Sequence, residues 1–244
     1  MSEQRDVKLI KKRIRERIWS LMESKNIAIF PRPVFGRIPN FKGNEVAAKK
    51  LVKSKYFDEA EVVFCCPDSP QRPVREAVLR SGKVLIMATP RLRKGFLLLK
   101  PGYVPRGMEY KASTIAGAFR YGRLVDEIPY QIDIKVTGSV AVTVEGARLG
   151  KGGGYSDLEY AILREMGVVS DETFILTTVH DVQIVNHIPM TRHDVPVDVI
   201  FTPTRVIETR GVFPKPRGIY WDELDDEKIA SIPILRKLLA HRGQ

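Results

Sequence analysis

Apolar and polar positions along the chain fall into helical and strand-like stretches that take turns. Over residues 3–25, Leu9, Ile14, Ile18, Leu21 and Met22 recur at helical spacing while the other face is almost all basic, which predicts one amphipathic helix. IFPRPVFGRIPNFKG (29–43) holds three prolines and two glycines and reads as a structured loop. GNEVAAKKLVKSKYF (43–57) returns to helical spacing, and EAEVVFCCP (59–67) reads as a buried strand stopped by Pro67. The pattern then repeats. PVREAVLRSG (73–82) predicts a short helix with Gly82 as its C-cap, and KVLIMATP (83–90) a second apolar strand.

Residues 90–102 predict a basic loop and a short strand, and 113–121 a helix. The valine-rich alternation over 132–150 predicts one or two strands. DLEYAILREMG (157–167) is an amphipathic helix ending at Gly167; ETFILTTVH (172–180) and VPVDVIFTPTRVIE (195–208) are strand candidates. A Pro/Gly-rich tail (209–220) leads to a closing helix over 225–242, kinked or restarted at Pro233. Helix and strand in alternation imply parallel strands with helical crossovers, an α/β protein. Without a repeat, a low-complexity linker or a compositional break, one domain over 1–244 is expected, with the tail and last helix packed on it.

Composition narrows the class. The 244 residues are 43% apolar, enough for a core. No apolar run approaches the ~20 residues that span a bilayer, and the charged N-terminus lacks a signal-peptide core, so a cytoplasmic protein without membrane association is expected. Cys65 and Cys66 are adjacent within an apolar strand and read as two buried thiols. The formal net charge of +11 favours an anionic partner: a nucleotide, a polyglutamate chain or a nucleic acid. His180, His187 and His193 show no metal-ligand spacing and read as structural or exposed.

RLGKGGGYSD (148–157) carries the candidate chemistry, with four glycines in ten residues just before a helix. Glycine permits positive φ and lets backbone N–H groups approach a phosphate; the helix start adds partial positive charge. Arg148 and Lys151 supply full charges, and Asp157 is a candidate Mg²⁺ ligand. Neither the Walker spacing nor GxGxxG fits, since only three residues separate Gly146 from Gly150 and Tyr155 stands where the last Gly would be.

The same stretch resembles the RLGxGxGYYD signature of the 5-formyltetrahydrofolate cyclo-ligase family. Lys11-Lys-Arg-Ile-Arg15 is similar to the family's KxxLR element, Gln183 stands where it has a Gln, and HDVPVDVIFTPTR (193–205) resembles its closing element. PRPVFGRIPNFKG, ATPRLR, SVAV, GKGGGYSDLEYA, TPTRVIETRG and IPILR are similar to the methenyltetrahydrofolate-synthetase-domain-containing branch. In some members of that branch the domain is joined to an RNA-recognition module; none is expected within these residues.

The resemblance implies a three-layer α/β/α fold with a mostly parallel sheet, similar to sugar-phosphate isomerases and CoA transferases. It implies MgATP-dependent conversion of 5-formyltetrahydrofolate, or a related pterin, to the 5,10-methenyl product with release of ADP and phosphate. ATP and Mg²⁺ are the implied cofactors. Lys11 and Arg15, i and i+4 on one helix face, would reach the ATP phosphates. Arg148, Leu149, Gly150, Lys151, Gly152, Gly153, Gly154, Tyr155 and Ser156 would form the cradle, with Arg148 and Lys151 catalytic and Tyr155 lining nucleotide or pterin. Asp157 and Asp198 would hold Mg²⁺; Asp198 is a charge amid apolar residues, which needs a partner. The sequence departs from the family at Ser156, a Tyr there, and over CCPDSPQRPVREA, where Asp68, Gln71 and Arg75 are the polar candidates. The nucleotide half of the site therefore maps and the folate half does not.

A nucleotide- or RNA-binding regulatory protein that keeps the fold without turnover is the competing expectation. The +11 charge and basic first helix favour it, whereas 8% aromatics and the lack of a basic-aromatic platform weigh against RNA.

Overall fold

A computed structural model describes residues 2–209 and 211–242. The elements run in chain order as α1 (Ser2–Ser24), α2 (Asn44–Val52), α3 (Lys55–Glu59), β1 (Val62–Cys65), α4 (Arg72–Arg80), β2 (Val84–Ala88), β3 (Phe96–Leu99), α5 (Glu109–Ala112), α6 (Ile115–Tyr121) and β4 (Arg123–Val125). There follow β5 (Ile134–Thr137), β6 (Ala141–Val142), β7 (Arg148–Leu149), α7 (Tyr155–Glu165), β8 (Phe174–Thr178), β9 (Val199–Phe201), β10 (Val206–Glu208), α8 (Asp226–Ser231) and α9 (Pro233–Arg242).

Eight strands form one sheet in the order β10-β9-β8-β5-β1-β2-β3-β4. The five central strands, β9 to β2, are mutually parallel; β10, β3 and β4 add antiparallel edges. The mostly parallel sheet is thus as expected, and the central strands are buried on both faces, which explains their near-continuous apolar runs. Side chains alternate between two cores. Phe64, Ile86 and Ile175 face α7 and α9, whereas Val63, Cys65, Leu85 and Val136 face α2, α3, α4 and the short helices α5 and α6. That is a three-layer α/β/α arrangement.

The first helix covers neither face. Its apolar stripe, Ile14, Ile18, Trp19 and Met22, packs in a third cluster with the proline-rich loop (Val34, Ile38) and the β6–β7 hairpin (Ala141, Ala147, Leu149). Its basic side is thereby laid along the glycine-rich loop.

Three boundaries differ from the pattern reading, each for a local reason. Helical spacing over 43–57 is broken at Lys53-Ser54, leaving α2 and the short α3. The 132–150 stretch yields β5 and then a separate two-stranded hairpin. The helix expected from 157 begins at Tyr155, because left-handed Gly154 (φ 70°) already serves as its N-cap. Ser156 and Asp157 therefore belong to the first turn. In the C-terminal region the chain restarts as a helix at Pro233, as expected. The tail 209–220 carries no regular structure after β10, and its residue 210 lies outside the described residues. Among the described residues no helix is long and apolar enough to cross a membrane.

Candidate active site

In open α/β sheets, ligands settle at the carboxyl ends of the strands. Here that edge is built from Cys66-Pro67-Asp68 after β1, Thr89-Pro90-Arg91 after β2 and Gly138 after β5, all of which line a cleft of about 480 Å³. A second cleft, of about 770 Å³, lies between α1, the glycine-rich loop and Thr191–Asp194. Gly150, Gly154 and Asp157 line both. The glycine-rich loop is the partition between two chambers.

The loop's shape explains its composition. Gly152 has φ +109°, a conformation side-chain-bearing residues rarely adopt, and a Cβ there would sit 3.6 Å from the Arg15 guanidinium. At Gly150 the need is for space, since a Cβ would stand 2.9 Å from Arg148 Nη1. Gly154 caps α7 without a side-chain hydrogen bond, so the first-turn N–H groups of this 11-residue helix are left for another acceptor.

Several cations stand around this loop, Arg148, Arg15, Lys11 and Lys151 among them. Arg148, on β7, is buried; its Nε donates to the Val195 carbonyl at 3.2 Å, its Nη2 donates to Asp157, and its Nη1 has no partner among the described residues. Burial works against the Arg148 charge, but Asp157 outweighs it and holds the guanidinium above its ordinary value. Arg15 Nε donates to the Gly150 carbonyl at 2.7 Å and so ties α1 to the loop. Burial, with Arg148 nearby, holds Arg15 below its ordinary value despite Asp194 and Asp157. Lys11 is buried against Asp194 at 2.5 Å. Lys151 Nζ meets Asp68 at 2.9 Å across the first cleft, with its side chain 45% exposed.

The remaining expected residues divide. Ser156 Oγ lies 2.7 Å from Thr137 Oγ1 and lines the first cleft, as do Gly153 and the Tyr155 ring. Leu149 borders the second cleft, but its side chain is packed into the third core, so only its backbone is in place to meet a ligand. Asp157 Oδ1 accepts from both Arg148 and the Val195 N–H (3.0 Å). Gln183 is a structural latch. Its Nε2 donates to Ser139 O (2.9 Å) and Val140 O (3.2 Å). The thiols of Cys65 and Cys66 are buried as expected, and burial pushes Cys65 up to about 11.

Asp198 is the correction. It precedes β9 and accepts the N–H of Ile175 at the start of β8 at 2.7 Å, with Lys215 Nζ at 2.9 Å. It therefore sits at the amino end of the parallel strands, a strand length of roughly 10–16 Å from the clefts. Asp157 and Asp198 cannot share one Mg²⁺, whose ligands stand about 2.1 Å from it. The partner that a charge amid apolar residues demanded is a lysine and a backbone N–H.

Three members were not read as site residues. Asp194 anchors Lys11 and accepts the Thr191 N–H at 2.6 Å. Glu159 lines the first cleft with Lys135 behind it. The signal for Lys135 was present, a lysine inside the apolar run IDIKVTG, the same anomaly that drew attention to Asp198.

Comparison with known proteins agrees with this architecture. The sequence pattern of the 5-formyltetrahydrofolate cyclo-ligase family matches residues 7–203, and the chain belongs to that family. Among individual relatives, it is 44% identical over 248 residues to a human methenyltetrahydrofolate synthase domain-containing protein, covering 99% of this chain and 64% of that protein. The Bos taurus protein of the same name is 45% identical over 234 residues, covering 93% of this chain and 61% of the relative. The chain thus spans under two thirds of these relatives' length. The solved structure of Aquifex aeolicus 5,10-methenyltetrahydrofolate synthetase superposes with a TM-score of 0.54 at 20% identity, over 84% of this chain and 95% of that one, a likeness of fold.

Proposed function

We propose that the protein is a MgATP-dependent cyclo-ligase that acts on 5-formyltetrahydrofolate or a related pterin and yields the 5,10-methenyl product. One observation carries this reading: a glycine partition with Lys11, Arg15, Arg148 and Lys151 around it, one of whose buried guanidinium nitrogens has no partner among the described residues. A cradle that a Cβ would fill, uncapped helix N–H groups and an orphaned Arg148 Nη1 suit phosphate oxygens.

MgATP, when bound, supplies the phosphoryl group that activates the formyl oxygen. Lys11 and Arg15, on the α1 side of the second cleft, would hold the phosphate chain together with the loop N–H groups. Arg148, which lines the first cleft beside the loop, would neutralise charge as it develops, which with positioning is most of what such chemistry asks of a protein. Lys151 faces the first cleft, where the folate-like substrate lies against Tyr155. Among the described residues no three His, Cys, Asp or Glu side chains gather to hold an ion unaided. Asp157 is the carboxylate that lines both clefts among the described residues, and would be the residue to meet a Mg²⁺ brought with the nucleotide.

The test is to follow absorbance of the methenyl product from 5-formyltetrahydrofolate and MgATP, with Lys151→Ala as the site variant because its exposed side chain leaves the fold intact. Turnover that is lost in the variant supports the assignment. No turnover in wild type, with MgATP binding retained, rules out this substrate and leaves a nucleotide-binding protein; no MgATP binding rules out the cradle. RNA affinity with steep salt dependence in that last case favours the regulatory alternative.

A further inference from the structure

Lys135 is an oddity of the sheet. It is the second residue of the central strand β5, is paired in register with Phe64 of β1, and its side chain is 1% exposed. Residues 135 and 137 share a strand face. Thr137 meets Ser156, and Lys135 meets Glu159, three residues further along α7. The ammonium stands 4.4 Å from the Phe64 ring and 3.6 Å from Glu159 Oε2.

The pair is incompletely satisfied. Lys135 Nζ and Glu159 Oε2 both lack a hydrogen-bond partner among the described residues, although the Glu159 side chain is only 9% exposed. An ion pair in this position is a poor stabilising device, because apolar residues of similar volume do as well or better. Glu159 Oε2 is closed off against Lys135, so a donor in the cleft would meet Oε1, which accepts no hydrogen bond among the described residues.

The surroundings say which donor. Glu159 lines the first cleft, and Asp68 adds a second carboxylate to its wall. Ile38, Ile115, Pro67 and the Tyr155 ring supply apolar sides suited to a flat ring, while exposed Arg91 stands at the mouth. Such a cleft has acceptors within, apolar walls and a cation at the rim. It matches a planar heterocycle that presents N–H groups inward and an anionic tail outward.

We propose that Glu159, positioned by Lys135, selects a planar nitrogen heterocycle bearing an exocyclic amino group by accepting that group's N–H inside the first cleft. This rests on the reading that the first cleft takes a folate-like substrate, and assigns it a specificity residue that the family signature does not mark.

The experiment is titration calorimetry of the intact chain with 5-formyltetrahydrofolate and with its analogue lacking the exocyclic amino group. The proteins are wild type, Glu159→Gln, and the double variant Lys135→Met/Glu159→Leu, which replaces the pair by apolar side chains in case the single change unfolds the protein. Wild type is expected to bind the desamino analogue about 10–100-fold more weakly, as for a hydrogen bond to a charged group. Both variants are expected to lose that preference while binding the desamino analogue as wild type does. Equal losses for both ligands reduce Glu159 to packing and overturn the proposal. So does a wild type without preference, whatever the variants do. Wild type that binds MgATP but neither pterin overturns both this proposal and the folate reading, whereas binding of both with unaltered variants overturns this proposal alone.

Discussion

Replacing Asp157 by alanine removes the acceptor of two buried donors at once. Arg148, with its side chain 1% exposed, loses its only carboxylate partner within bonding distance among the described residues, and the Val195 N–H loses a 3.0 Å bond. Stranding one member of a buried ion pair costs about 3–5 kcal/mol. For a chain of this length each kcal/mol lowers Tm by about 2–4 °C, so the expected drop is roughly 6–20 °C. Thermal unfolding by circular dichroism of wild type, Asp157→Ala, Arg148→Met and the double variant closes a cycle. The double variant is expected to be more stable than the sum of the single losses, because it buries no unpaired guanidinium. A single Asp157→Ala loss of under ~2 °C, or strictly additive losses, refutes the claim that this pair fastens α7 to the hairpin. The same arithmetic shows why loss of nucleotide binding in Asp157→Ala does not by itself identify a Mg²⁺ ligand: the cradle goes with the helix start.

Gly152→Val forces a β-branched residue to φ +109° and is expected to cost about 1–3 kcal/mol at the loop. MgATP affinity should fall on the order of ten-fold with far-ultraviolet circular dichroism unchanged; unaltered affinity counts against the cradle. Asp198→Asn should lower Tm by weakening the Lys215 contact yet leave MgATP affinity as it is, and a ten-fold loss of affinity without a Tm change would return Asp198 to the site. Burial pushes Asp194 up, but the Lys11 charge and the hydrogen bonds from Lys11 and Thr191 win and hold it below the usual carboxylate range. A group depressed on folding contributes stability above its unfolded pKa and loses it as pH falls through the folded one. Urea unfolding below about pH 5 should therefore fall more steeply for wild type than for Lys11→Met, and parallel curves contradict the pairing.

The strands β1, β2 and β8 and the helices α1, α4 and α7 were legible because their apolar residues recur at a period a single face imposes. The β3 and β4 additions are antiparallel, a matter of which strand lies beside which, and local periodicity carries nothing about neighbours. The unusual backbone of the glycine loop before α7 was legible because glycine's tolerance of positive φ is a property of one residue at a time. That α1 stands beside this loop, with Lys11 and Arg15 turned to it, depends on a cluster formed by Trp19, Ile38 and Leu149, far apart in sequence.

Charges inside apolar runs mark the limit most sharply. The sequence alone determined that Asp198 needed a partner, since desolvation of a charge is a local cost, and Lys135 carried the same signal unread. It did not determine what kind. Asp198 found Lys215 at the amino end of the sheet, and is structural; Lys135 found Glu159 beside the cleft at the carboxyl end. Strand direction and the crossover of α7 decided between the two, because only the assembled sheet puts Asp198 at the amino ends of the strands and brings Glu159 of α7 to the cleft at their carboxyl ends.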